Sequence, residues 1–596
     1  MQTYSAPLRD MRFVLNELHD STDYTSLPAF EHVTSDVVDA ILEEAAKFTT
    51  ERLLPLNASA DQEGCILENG VVRTPTGFKE AYTAFRETGF TSMAADPEWG
   101  GQGLPAPINK FIEEMICSAN LSFSLYPGLT HGATKALEAH GSQDLKERYL
   151  PKMVDGTWAG TMCLTEAHCG TDLGLLRTKA VPQDDGSYKI TGAKIFISAG
   201  EHDLTENIVH LVLARMPDAP KGVKGISMFL VPKFVPSEDG RPGARNGVTC
   251  TALEKKMGIH GSATCQMSFD EATGWLVGDP HKGMRAMFTM MNSERLSVGV
   301  QGLGAAEVAY QSAVAYAKDR LQGRSLSGTK APDKPADPII VHPDIRRQLM
   351  TMRAYNEGCR ALGTWVARSL DMMEHHPDEE VRKQADDFSA LMTPIVKALF
   401  TDMGFETTNI AMQVYGGHGY IQDHGMEQIV RDSRISMIYE GTNGVQALDL
   451  VGRKMPAHTG RLLRSFFHPV LTFIDEALED DDLAPLAQPL AKAFGALQLS
   501  TATIAQKGLK DPEEAGAAAT DYLRLFGLVA LGYMWVRMAK VAHAALADGP
   551  DDPDFYRAKI TTAHFFIERI LPQSAGLFAA IKSGKGAMMS LDEAMF

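Results

Sequence analysis

A single carboxylate, Glu440, stands between apolar residues and a run of turn and cap residues in Ile438-Tyr439-Glu440-Gly441-Thr442-Asn443-Gly444. A base that takes a proton from carbon at neutral pH needs a raised pKa and a fixed aim. An apolar wall followed by a helix start can supply both. Thr442 and Asn443 are good caps for a helix starting near Val445, whose positive end lowers a carboxyl pKa while burial raises it. Taken alone, the segment reads more readily as an ordinary exposed turn glutamate, because perturbed carboxylates are a minority of those in loops. A second carboxylate, Glu294 in Met291-Asn292-Ser293-Glu294-Arg295-Leu296, falls where a long helix is expected to begin and reads as a solvated helix-start residue.

The elements that must hold such a loop follow from length and pattern. A chain of 596 residues exceeds what one hydrophobic core serves, so several domains are expected. Residues 1–157 read as a helical domain, with apolar residues at helical spacing in Val37-Val38, Ile41-Leu42 and Ala45. Residues 158–285 change to short β-branched runs such as Ile208-Val209-His210-Leu211-Val212-Leu213, which predicts a middle domain of antiparallel strands. Helical periodicity returns over 286–455, in 297–320, 342–373 and 386–415, as a bundle carrying Glu440. A further helical block fills 456–596. The fold class is α+β, mainly α. The Pro-rich stretch 328–338 reads as an excursion or partner-contacting loop, and the acidic 479–482 as a solvated one.

Composition narrows the partners. Lysine and arginine number 57 against 75 acidic residues, a net charge of -18, which argues against a nucleic-acid backbone. Seven scattered cysteines without a Cys-x-x-Cys pair fit reduced thiols in the cytoplasm and leave no zinc ribbon, so no metal is expected. Residues 1–20 lack the apolar run of a secretory signal. No stretch reads as long and uncharged enough to span a bilayer, so a membrane partner is not expected.

In its order of helices, strands and helices, and on the four segments 162–172, 194–198, 319–323 and 413–420, the chain resembles the acyl-CoA dehydrogenase family. Met162-Cys163-Leu164-Thr165-Glu166-Ala167-His168-Cys169-Gly170-Thr171-Asp172 is similar to the family's flavin-contacting signature, with Ala167 where Pro is usual and His168 where a small residue is. Lys194-Ile195-Phe196-Ile197-Ser198 is similar to a Lys-x-Trp-Ile-Thr strand. Asp319-Arg320-Leu321-Gln322-Gly323 resembles an Arg-x-x-Phe-Gly segment without its Phe. Gln413-Val414-Tyr415-Gly416-Gly417-His418-Gly419-Tyr420 resembles the Gly-rich loop that contacts the adenosine half of FAD.

The resemblance implies FAD as cofactor, held by Leu164, Thr165, Thr171, Phe196, Ser198, Arg320, Gln322, Gln413, Gly416, Gly417 and Thr442. It implies Arg295, Tyr439 and Gly441 at the acyl-CoA substrate, with Glu440 taking the alpha proton while a hydride leaves the beta carbon for flavin N5. Glu294 occupies the position from which some members draw the base; the Tyr-Glu-Gly-Thr context assigns that role here to Glu440. An electron-transfer flavoprotein is the implied acceptor, and a homo-oligomer, a dimer or dimer of dimers, the implied assembly. Within the family the nearest branch implies 3-(methylthio)propionyl-CoA, an intermediate of dimethylsulfoniopropionate catabolism, as substrate. Straight-chain acyl-CoA is the alternative, and an acyl-CoA oxidase the rival class. A nicotinamide enzyme fits less well, because Gly302-Leu303-Gly304 lacks a third Gly and lies inside a helical pattern.

Overall fold

The computed structural model describes residues 2–19 and 27–596. The chain opens with helices α1 (Leu8–Arg12), α2 (Ser35–Phe48), α3 (Leu54–Glu63), α4 (Phe78–Glu87), α5 (Ala106–Ala119), α6 (Leu121–His140) and α7 (Gln143–Val154), with a small hairpin, β1 (Ile66–Glu68) and β2 (Val71–Arg73), between α3 and α4. Strands follow: β3 (Trp158–Cys163), β4 (Lys179–Pro182), β5 (Tyr188–Ser198), β6 (Asn207–Arg215), β7 (Ile226–Pro232), β8 (Phe234–Pro236), β9 (Pro242–Arg245), β10 (Val248–Leu253) and β11 (Thr264–Val277). Then come α8 (Gly283–Asp319), α9 (Pro343–His375), α10 (Glu379–Tyr415), α11 (Met426–Ser433), α12 (Asn443–Asp449), α13 (Arg461–Leu478), α14 (Ala484–Gly508), α15 (Pro512–Asp548), α16 (Pro553–Phe565) and α17 (Gln573–Ser583). The chain divides into two compact units, one of Met1–Glu43, Pro105–Glu114 and Val298–Phe596, the other of Glu44–Leu104 and Met115–Ser297.

The second unit is built on a ring of strands. β11 pairs with β5, β5 with β4, β4 touches β6, β6 pairs with β7, and β7 returns to β11, with β10 and β3 flanking the ring. Ring closure removes open edges from these strands. The sequence suggested antiparallel strands throughout; β3 and β4 instead run parallel to β6. The reason is connectivity: the β4–β5 hairpin sits between β3 and β6 in the chain and provides the crossover that a parallel pair requires. β6 is buried from Asn207 to Ala214, hence its mainly apolar run, interrupted by the buried His210.

In the first unit the 37-residue α10 is the central rod. Asp378 caps it by accepting from Glu380 N at 2.8 Å, and Gly416, at φ +59°, ends it. A Cβ built on Gly404 of α10 would lie 2.5 Å from the carbonyl oxygen of Gly302, and one on Gly302 would lie 2.6 Å from that of Phe400. The two backbones therefore touch, which explains Gly302 inside a helical pattern. α15 is long and apolar enough to cross a membrane by composition, contrary to the sequence expectation. In this fold 83% of its most apolar window is buried, as in a core helix, and its Trp535 donates to the carbonyl of Ala354 at 3.0 Å.

A buried charge cluster ties the N-terminal segment to this unit. Arg360 of α9 donates to Asp10, to Glu114 at 2.5 Å and to Glu307 at 2.9 Å, while Lys559 of α16 donates to Asp10 and to Glu357 at 2.8 Å. Arg360 is 2% exposed and Lys559 is fully buried. Burial pushes the Asp10 carboxyl up, but Lys559 and Arg360 outweigh it and hold it below its ordinary value. The Pro-rich stretch is an organised loop: the buried Asp337 carboxylate accepts from Ser325 N, Lys330 N, Ala331 N and Arg324. Residues 479–482 form the exposed turn expected of them.

Candidate active site

Glu440 lies in a left-handed kink, at φ +56°, followed by Gly441 at φ +85°. For a non-glycine residue this conformation costs roughly 1–2 kcal/mol and persists only where neighbours enforce it. The Tyr439 hydroxyl donates to Gln301 Oε1 on α8. Thr442 is the N-cap of α12, its Oγ1 accepting from Val445 N at 3.3 Å. The helix thus begins at Asn443, two residues before the expected Val445. Gln446, fully buried on α12, donates from Nε2 to the carbonyls of Glu440 and Gly441, at 3.2 Å each. Glu440 itself is half-buried, with its Oε2 atom buried.

Asn443 fastens the other side of the loop to α10. Its Oδ1 accepts from the buried Lys397 Nζ at 2.8 Å, and its Nδ2 donates to Asp402 Oδ1 at 2.6 Å and Thr401 Oγ1 at 3.0 Å. An ammonium on one side and a carboxylate on the other fix the orientation of this amide. Burial raises the Asp402 carboxyl above its ordinary value, against the pull of Asn443 and Arg524.

In the second unit Leu164 and Thr165 follow β3, and the Ile195 N–H donates to the Thr165 carbonyl at 2.9 Å. Lys194, fully buried, donates from Nζ to the Leu164 carbonyl and to Glu166 Oε1, both at 2.9 Å. Glu166 also accepts from Arg177 N, Thr178 N and the Thr178 hydroxyl. Burial raises its pKa, but Lys194 and these donors bring it down to about 2. This network sets the turn in place beside β5. There a register shift leaves Ile195 and Phe196 opposite a single β11 residue, and Phe196 takes φ +59° with its side chain 59% exposed. A bulge re-aims a side chain, and here it turns an aromatic ring outward. Ser198 ends the strand, and Thr171 is exposed beyond the turn.

Arg320, exposed, follows the last turn of α8; its carbonyl accepts from Ile339 N and that of Gln322 from His342 Nε2, both at 2.8 Å. Gln413 lines a groove of about 550 Å³ with Arg347, Phe405 and Ile410. Gly416 and Gly417 are exposed and open around their Cα atoms. Their turn is drawn to the end of α8 by Tyr316, which stacks on Tyr415 at 4.1 Å and bonds His418 Nδ1 at 2.8 Å. Glu294 departs from expectation: it lies inside α8, which starts at Gly283, and is 4% exposed. Gly132 of α6 makes the room, since a Cβ there would sit 2.3 Å from Glu294 Oε1. Arg295 is likewise buried, with Nη1 3.5 Å from Asn292 Oδ1.

Comparison with known proteins decides the family. Four acyl-CoA dehydrogenase models match in order: the N-terminal domain at 35–157, the middle domain at 161–272, the C-terminal domain at 281–455, and an acetyl-CoA dehydrogenase C-terminal-like domain at 466–592. A 3-methylmercaptopropionyl-CoA dehydrogenase of Ruegeria pomeroyi is 44% identical over 96% of each chain. The chain belongs to the acyl-CoA dehydrogenase family. A butyryl-CoA dehydrogenase of Syntrophomonas wolfei is 35% identical over 100% of this chain and 99% of its own. An acyl-CoA dehydrogenase from Bacillus anthracis, solved complexed with FAD, shares the fold at a TM-score of 0.74 and 20% identity, covering 100% of this chain and 94% of its own. Family membership makes this chain an FAD-dependent oxidoreductase acting on acyl-CoA.

The residues present fit that cofactor. An exposed aromatic ring on a bulge, flanked by hydroxyls and glycine, suits a planar ring system, and an exposed arginine near an open Gly-Gly turn suits a dinucleotide tail. Sequence reasoning missed Lys194, Glu166, Lys397 and Gln446. Lys397 does carry a signal, a lone charge inside Ile395-Val396-Lys397-Ala398-Leu399-Phe400.

Proposed function

We propose that this enzyme converts 3-(methylthio)propionyl-CoA to its trans-2-enoyl-CoA, with Glu440 as the base. The observation that carries the base assignment is the enforced left-handed kink that aims one half-buried carboxylate. The 44%-identical relative supports the substrate. FAD, when bound, accepts the hydride from the beta carbon. Glu440 removes the alpha proton, and the backbone N–H of Glu440 polarises the thioester carbonyl, which acidifies that proton. Phe196 would hold the flavin ring, Ser198, Thr165 and Thr171 would offer it hydroxyls, and Leu164 and Thr442 would each add a contact to the cofactor. Arg320 pairs with the pyrophosphate. Gln322, Gln413, Gly416 and Gly417 receive the adenosine half of a neighbouring subunit's cofactor, so a homodimer or dimer of dimers is the working assembly. Arg295, Tyr439 and Gly441 hold the acyl-CoA. An electron-transfer flavoprotein takes the electrons, in the reducing cytoplasm that seven free cysteines suit.

The test is anaerobic bleaching of the purified flavoprotein with 3-(methylthio)propionyl-CoA and butyryl to palmitoyl esters. Fastest bleaching by the sulfur-containing ester supports the substrate. Fastest bleaching by butyryl-CoA overturns it in favour of the activity named for the 35%-identical relative. Glu440→Gln should bleach with none of them; undiminished bleaching refutes the base. Rapid turnover on oxygen alone would make the enzyme an oxidase.

A further inference from the structure

We infer that Gln446 is a positioning residue for Glu440, acting with Asn443 as a two-sided brace on the loop; this rests on Glu440 being the base. A left-handed glutamate before a glycine has no intrinsic preference for its place, since glycine at 441 frees the chain to swing. Gln446 removes that freedom. Its side-chain amide donates to the carbonyls on both sides of Gly441, at 3.2 Å each, and so fixes the two peptide planes that follow Glu440. The amide has one workable orientation, because turning it over would set its oxygen against two carbonyl oxygens. Full burial of Gln446 keeps water from competing for those carbonyls. On the far side Asn443 bonds Lys397, Thr401 and Asp402 of α10. With both peptide planes and the following residue held, only the side-chain torsions of Glu440 remain to aim its carboxylate.

Gln446→Met keeps length and volume but donates nothing. The expected result is a bleaching rate lowered about 10- to 100-fold, since misplacement of a reacting group by an ångström costs on the order of 10²-fold. KM and flavin content should stay unchanged, and deuterium at the alpha carbon should slow the variant more than the parent enzyme. The rate of Gln446→Glu, taken relative to the parent at the same pH, should recover as the pH falls, because a protonated carboxyl donates again to one carbonyl. A merely structural glutamine would lower the melting temperature without moving the isotope effect or producing that pH-dependent recovery. If Glu440→Gln abolishes bleaching while Gln446→Met bleaches at the parent rate, the positioning role is overturned and the base stands. If Glu440→Gln bleaches normally, the base assignment falls and this inference with it. Should Gln446→Met not fold, Gln446→Asn, one methylene too short to span both carbonyls, carries the same test.

Discussion

Replacing Lys559 by Met tests what fastens the C-terminal helices to the N-terminal segment. The ammonium is fully buried between Asp10, which it shares with Arg360, and Glu357, 2.8 Å away and shared with Arg353 at 2.7 Å. Methionine fills nearly the same volume, so little cavity forms and the loss is electrostatic. The buried Asp10 and the half-buried Glu357 are left with one cation each. Breaking a buried pair by removing one partner costs about 3–5 kcal/mol. At roughly 2–4 °C per kcal/mol for a large domain, the melting temperature should fall by about 6–20 °C. The double variant Asp10→Asn, Lys559→Met removes the stranded charge together with its cation and should recover more than half of that loss. Urea unfolding followed by fluorescence and circular dichroism, with the single and double variants in one cycle, reads both figures. A Lys559→Met protein within about 0.5 kcal/mol of the parent, the usual range for surface changes, would refute the reasoning.

Two further outcomes are expected. Gly404→Ala should cost at least about 1–3 kcal/mol, the range for overpacking, because the new methyl meets the backbone of Gly302, which cannot rotate away; unchanged stability in urea would contradict the crossing. His19, His202 and His210 are buried and have pKa values lowered to about 3 by desolvation. The unfolded chain binds these protons below pH 6.5 and the folded chain does not, so stability present at neutral pH is lost as pH falls. Each histidine should cost about 1.4 kcal/mol between pH 7.5 and 5.5. Unfolding midpoints that stay level across that window would rule the buried neutral imidazoles out.

The parts of the site readable from sequence are those whose physics is local. Thr442 caps a helix because a threonine oxygen reaches an amide three residues on, and Gly441 takes its positive φ without help from elsewhere in the chain. The Gly416 helix end is local in the same way. What escaped depends on residues far apart in the chain. The exposure of Phe196 comes from a bulge set by the β11 register, and the depth of Glu294 from Gly132 on another helix. The Asp10–Arg360 pair spans 350 positions. Parallel pairing of β3 with β6 escaped because alternation patterns carry no strand direction.

The glycine crossing of α8 and α10 bears on the loop that carries Glu440. Lys397, Thr401 and Asp402, which grip Asn443 beside Glu440, lie within two turns of Gly404 on α10. The Glu440 loop is therefore fastened, through Asn443, to a helix whose spacing from α8 is set by two glycines rather than by the loop's own composition. A change of packing beside Gly302 or Gly404 is thus expected to reach Glu440 without altering any residue of its own loop.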